Sequence, residues 1–183
     1  MGAVQGGRIL YSAEGLQPPL VRCSSAKHRL VVTEGGAIAE PNRIHAVRGV
    51  VYDGERIGFT SHDDRGWDIP SSWREEDEEP FEAFERAAYE ALGCYVRPPE
   101  FVGALQIDAE RELGLPYGGR TRSVTVALYL AALDRNDVIE EEGKNPTQYA
   151  PIQTLIDAPA LTPLQPWLRW VEAELRRRFD SLS

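Results

Sequence analysis

Apolar residues come in short alternating or continuous runs through the first third of the chain, at "RILYS", "LVRCS", "RLVVT", "IHAVRGVVY" and "RIGFT". Runs of that length and period predict β-strands. Asp53, Gly54 and Glu55 separate the last two, and an Asp-Gly step between apolar runs predicts a hairpin. "EGLQPP" and "EGGAIAEPN" break the earlier strands with loops. The first forty or so residues (1–43) read as an edge hairpin or an N-terminal strand extension, not as a separate domain.

At Pro80 the period changes. Phe81, Phe84, Ala88 and Leu92 recur at three- and four-residue steps, which predicts an amphipathic helix from about Pro80 to Leu92. Proline suits its first turn, the acids near its start suit the helix dipole, and Gly93 is a natural stop. "EFVGALQID" and "SVTVALYLAAL" then read as longer strands joined by the loop "AERELGLPYGGRTR". The polar segment "DRNDVIEEEGKNPTQ" leads to a short "YAPIQTL". A second helix, about Pro166 to Phe179, buries Trp167, Leu168, Val171 and Leu175 and ends on Arg176, Arg177 and Arg178, which favour its C-terminal dipole. Strands, helix, strands, helix make one mixed α+β domain over 1–183.

Composition narrows the class. A chain of 183 residues, 42% hydrophobic and 27% charged, has the make-up of a globular domain with a core of its own. No run approaches the length of a membrane span and "MGAVQGGRILYS" lacks a signal-peptide core, so the expectation is a cytoplasmic protein without membrane contact. Cys23 and Cys94 are too few and too far apart for a zinc pattern or a disulfide framework. The net charge of −9 argues against a broad nucleic-acid surface. Between Arg74 and Glu90, eight acids stand against two bases, which is −6 of that −9. Such a concentration is either a solvated helix face or a place that holds a cation.

Within "GWDIPSSWREEDEEPFEAFERAAYEALGC" the spacing resembles the Nudix box, G-x5-E-x7-R-E-U-x-E-E-x-G-U with U apolar. With Gly93 as the terminal glycine, Ser72 takes the place of the first glycine, Glu78 the first glutamate and Arg86 the arginine. Ala87 replaces the next glutamate, Glu90 is retained, Ala91 replaces its neighbour and Cys94 closes the box. Trp67, Ile69 and Pro70 match the segment that precedes the box in that family, and Glu75 falls where many members carry a further glutamate. The resemblance implies a Nudix-type α/β/α sandwich with a central mixed sheet. More weakly, the order of strands and helices extends it over residues 44–180.

That resemblance implies metal-dependent cleavage of a nucleoside diphosphate linked to another moiety. Its chemistry needs cations bridging the pyrophosphate oxygens and a water in line. Carboxylates at i, i+3 and i+4 of a helix converge on one ion, and here those positions are Ala87, Glu90 and Ala91. The catalytic set carried over is Glu78, Arg86 and Glu90, with Glu90 and Glu75 as ligands of Mg or Mn and Glu78 supporting Arg86. Glu140, Glu141 and Glu142 occupy the region from which some members draw a further ligand or base. Trp73, Arg120 and Arg122 are the expected substrate contacts, although Trp73 equally suits packing over the helix start and the arginines a solvated strand entry. Two of three ligands and both glycines are lost, so the expected activity is weak or narrow. The alternative is a catalytically silent Nudix-fold module that binds a nucleotide or a protein partner. A nucleotide-type small molecule is the expected ligand, and the resemblance allows a homodimer. His28, His45 and His62 stand isolated and carry no catalytic assignment, and no G-x-S-x-G turn is present.

Overall fold

Ala46, Val47, Arg48, Gly49, Val50 and Val51 are all buried, which requires layers on both faces of their strand. The structure is a computed structural model that describes residues 4–5, 8–14, 27–34, 36–38, 40–62, 66–114, 120–138, 148–156 and 165–180. Its strands are Val4–Gln5 (β1), Arg8–Glu14 (β2), Lys27–Glu34 (β3), Ala37–Ile38 (β4), Ala46–Asp53 (β5), Arg56–His62 (β6), Gly66–Asp68 (β7), Ser71–Trp73 (β8), Cys94–Val96 (β9), Glu100–Gly114 (β10), Arg120–Val138 (β11) and Gln148–Pro151 (β12). The helices are Pro80–Leu92 (α1), Ile152–Ile156 (α2) and Gln165–Asp180 (α3).

The central sheet runs β12-β6-β5-β11-β10-β3-β2, with β7, β8 and β9 paired to β6, β5 and β11. It is mixed: β5 lies parallel to β11, and its other pairings are antiparallel. Alternation along β5 and β11 sorts the core into two layers. Ala46, Val50, Val126 and Leu128 join Trp167, Leu168, Val171 and Leu175 of α3 on one face. Val47, Val51, Ala127 and Tyr129 meet Ala83, Phe84, Ala87, Ala88 and Leu92 of α1 on the other. The result is the expected α/β/α sandwich.

The box helix is capped at both ends. Pro80 opens it, the Glu82 carboxylate accepts the Glu79 N–H at 3.0 Å in a capping box, and Gly93 closes it at φ 64°. Gly49 on β5 lets it approach the sheet: a Cβ there would lie 2.5 Å from the Phe84 ring and 2.5 Å from the Tyr129 carbonyl oxygen. The Asp53-Gly54-Glu55 hairpin forms with Gly54 at φ 62° and Asp53 opposite Arg56.

Two local expectations change. The loop anticipated over 109–122 is mostly strand, since β10 continues to Gly114 and β11 begins at Arg120, with a register irregularity between Asp108 and Leu113. "YAPIQTL" divides into β12 and the short α2. The stretches "GWD" and "SSW" are strands, held by pairing with β6 and β5. The "LVRCS" strand and Glu140, Glu141 and Glu142 fall outside the described residues.

Candidate functional site

The box loop leaves β8, turns through Glu75, Glu76, Asp77 and Glu78, and enters α1. Its shape is fixed from the helix. Arg86 donates through Nε and Nη2 to the two oxygens of Glu78, each at 2.8 Å. The same guanidinium reaches the Ser72 Oγ and the Trp73 carbonyl, both at 3.0 Å. Glu78 also accepts the Glu75 N–H at 3.0 Å, and its own N–H returns to the Glu75 carbonyl at 3.3 Å. One bidentate pair therefore joins strand end, loop and helix. The Arg86 hydrogen bonds hold the Glu78 carboxyl below its ordinary pKa, and Glu78 in turn raises that of Arg86.

Ser71 and Ser72 stand where the resembled family has glycines, yet among the described residues only glycines have positive φ. Both serines are extended and paired with Arg48 and Val47 of β5. The loop thus follows a path that needs no glycine.

The expected metal face is different. Ala87 is 1% exposed inside the apolar layer with Phe84 and Tyr129, and Ala91 packs against that layer. Glu90 points outward, its carboxylate 3.5 Å from Arg86 Nη1. Glu75 is exposed on the loop. Among the described residues no three His, Cys, Asp or Glu side chains gather as a metal site. Among the described residues the donor set does not fit a resident metal cluster: one helical carboxylate remains where the resembled box has three.

Trp73 packs against the layer shared with α3. Arg120 and Arg122 lie in the opening residues of β11, where Arg120 is in register with Gly114. Of the expected residues, the structure brings Glu78, Arg86 and Glu90 together, with the Glu75 backbone beside them.

Two polar features had no sequence signal. Arg48, 1% exposed, forms an ion pair with Asp68 on β7, and Asp68 Oδ1 also accepts the Ile69 N–H at 2.8 Å. This buried pair anchors the strand that delivers Pro70 and the serines. His45 is half-buried, and its Nδ1 accepts the Thr125 N–H at 3.1 Å. Burial, reinforced by the charge of Arg74, lowers its pKa.

Solved structures with the same architecture were found in number. A pyrophosphohydrolase from Bacillus subtilis superposes with a TM-score of 0.54 at 18% identity, covering 84% of this chain and 91% of that one. The MutT mutator protein from Bacillus halodurans gives 0.51 at 14% identity, covering 69% and 80%. The Ap4A hydrolase of C. elegans gives 0.50 at 16% identity, covering 72% and 98%. The chain has the Nudix-type α/β/α fold of these hydrolases. At such identities the likeness is one of fold. No family model matches the sequence. No curated protein matches it either.

Proposed function

We propose that this chain is a Nudix-fold module that binds a nucleotide-type diphosphate without a resident metal cluster and is catalytically silent or nearly so. The burial of Ala87 in the apolar layer carries this reading. A carboxylate at that position is central to the resembled chemistry, and here the position serves packing. The Nudix-type fold, shared with a pyrophosphohydrolase and an Ap4A hydrolase, supports the choice of ligand class.

A second reading has one specific observation in its favour. The Arg86–Glu78 clamp is intact and sets the exposed Glu90 carboxylate beside it. Magnesium keeps most of its waters and binds through one or two carboxylates plus substrate phosphates. Glu90 with Glu75 would then hold Mg or Mn only in the presence of substrate, and hydrolysis of a nucleoside diphosphate linked to another moiety would be weak or narrow.

Thermal unfolding of the full chain separates the two. ADP, ADP-ribose and dinucleoside polyphosphates are each tested in EDTA and then with Mg or Mn, because a ligand of the folded state raises the melting temperature by linkage. The module reading expects a rise in EDTA to which metal adds nothing that Glu90→Gln removes. No rise with any nucleotide overturns it, and a metal-dependent rise lost in Glu90→Gln favours the hydrolase.

A further inference from the structure

A diphosphate ligand brings negative charge to a surface whose loop and helix, Arg74 to Glu90, already carry −6. Without a metal cluster its charge must be met by cations of the chain. Arg86 is committed to Glu78, Ser72 and Trp73. Arg74 donates to the Glu78 carbonyl at 3.2 Å. A different arginine is placed otherwise.

Arg29 lies on β3 between strands β10 and β2. It is half-buried, and its Nε is shielded from solvent with no hydrogen-bond partner among the described residues. A guanidinium has five N–H donors and stays charged, so leaving its Nε buried and unbonded costs free energy until an acceptor arrives. Its direction follows from the strand period. Leu30 and Val32 enter the layer shared with α3, so Arg29, Val31 and Thr33 face the side on which α1 lies. Thr33 on that face also has a buried Oγ1 without a partner among the described residues.

The register connects Arg29 to the box loop. Arg29 stands opposite Gln106, and Gln106 opposite Thr125. Alternation with Leu105 and with Val124 and Val126 turns Gln106 and Thr125 toward the same face. Thr125 joins His45, and the His45 carbonyl accepts the Arg74 N–H at 3.0 Å. A polar row thus crosses β3, β10 and β11, spanning about 10 Å at the usual strand spacing, and ends where the box loop begins.

We propose that Arg29, with Gln106 beside it, receives a phosphate group of the ligand and supplies the positive charge that a metal supplies in the resembled hydrolases. This inference rests on the binding-module reading above. Arginine suits the task because its planar donors engage two phosphate oxygens at once, which lysine does not reproduce. The competing role for Arg29 is structural: Glu14 on β2 stands opposite it in the register.

The test measures affinity for ADP and for inorganic pyrophosphate by calorimetry in EDTA, using the full chain, Arg29→Gln, Arg29→Lys, Glu14→Gln and the exposed control Arg97→Gln. The expected result is binding by the parent and by Arg97→Gln, about tenfold or greater loss in Arg29→Gln, and partial recovery in Arg29→Lys. The ligand-free melting temperature of Arg29→Gln should not fall, since the buried Nε has no hydrogen bond to lose among the described residues. Parent-like affinity in Arg29→Gln overturns the inference and leaves the binding-module reading standing. Equal falls in the melting temperatures of ligand-free Arg29→Gln and Glu14→Gln overturn it in favour of the structural pair. A parent protein that binds neither probe removes the reading and the inference together.

Discussion

Arg86 grips both carboxylate oxygens of Glu78 at 2.8 Å across eight residues of chain, and this pair holds the box loop against its helix. Its side chains are 28% and 13% exposed, so solvent screens it only in part. Removing the guanidinium takes two hydrogen bonds from Glu78 and frees the Ser72 and Trp73 contacts. Arg86→Ala should lower stability by roughly 2 kcal/mol in chemical denaturation, with Glu78→Gln milder. Losses of only a few tenths for Arg86→Ala would mean that the loop is held by its strand pairing alone.

The same pair sets an acid dependence. Glu78 has a folded pKa below its ordinary 4.5, first through the Arg86 hydrogen bond. A depressed carboxylate stabilises the fold at pH above the unfolded value, and that contribution disappears as pH falls through the folded one. The stability difference between parent and Glu78→Gln should therefore be full at neutral pH and shrink below about pH 4.5. A difference independent of pH would show that the charge of Glu78 does not contribute.

Ala87 offers a direct probe of the lost metal face. It is 1% exposed among apolar side chains, so Ala87→Glu forces a carboxylate into a packed layer. A cost of about 2–4 kcal/mol is expected in thermal or urea unfolding, and Ala87→Glu with Ala91→Glu should gain no nucleotide turnover. A stable double variant that hydrolyses nucleotides with Mg would indicate a site complete but for two carboxylates.

Gly49 tests how closely the box helix must approach the sheet. A Cβ there meets both the Phe84 ring and the Tyr129 carbonyl oxygen at 2.5 Å, and the second is backbone that yields little. Gly49→Ala should destabilise by about 1–3 kcal/mol. An unchanged melting temperature would imply that α1 has room to shift.

The box helix was legible because three signals agreed at its ends and along its face: Pro80, Gly93 and the apolar spacing of Phe84, Ala88 and Leu92. The layers were legible for the same reason, since β5 and β11 are long apolar runs. The serine strand was not, because Ser71 and Ser72 have little strand signal and owe their extended shape to β5. Arg48 and Asp68 looked like ordinary strand charges, and only the fold brings them together across twenty residues of sequence. The spacing of the box singled out Glu78, Arg86 and Glu90, and the fold sets these three side chains beside one another. Arg29 carried no such signal, because the burial of its Nε depends on the sheet register.

The most direct test of the central claim is nucleotide and phosphate release from nucleoside di- and triphosphates, ADP-ribose, dinucleoside polyphosphates and nucleotide sugars, with Mg and with Mn, for the parent beside Glu90→Gln. A silent binding module predicts release no faster from the parent than from Glu90→Gln with every substrate. Metal-dependent release by the parent that vanishes in Glu90→Gln would contradict it and make the loop and helix a reduced but working hydrolytic site.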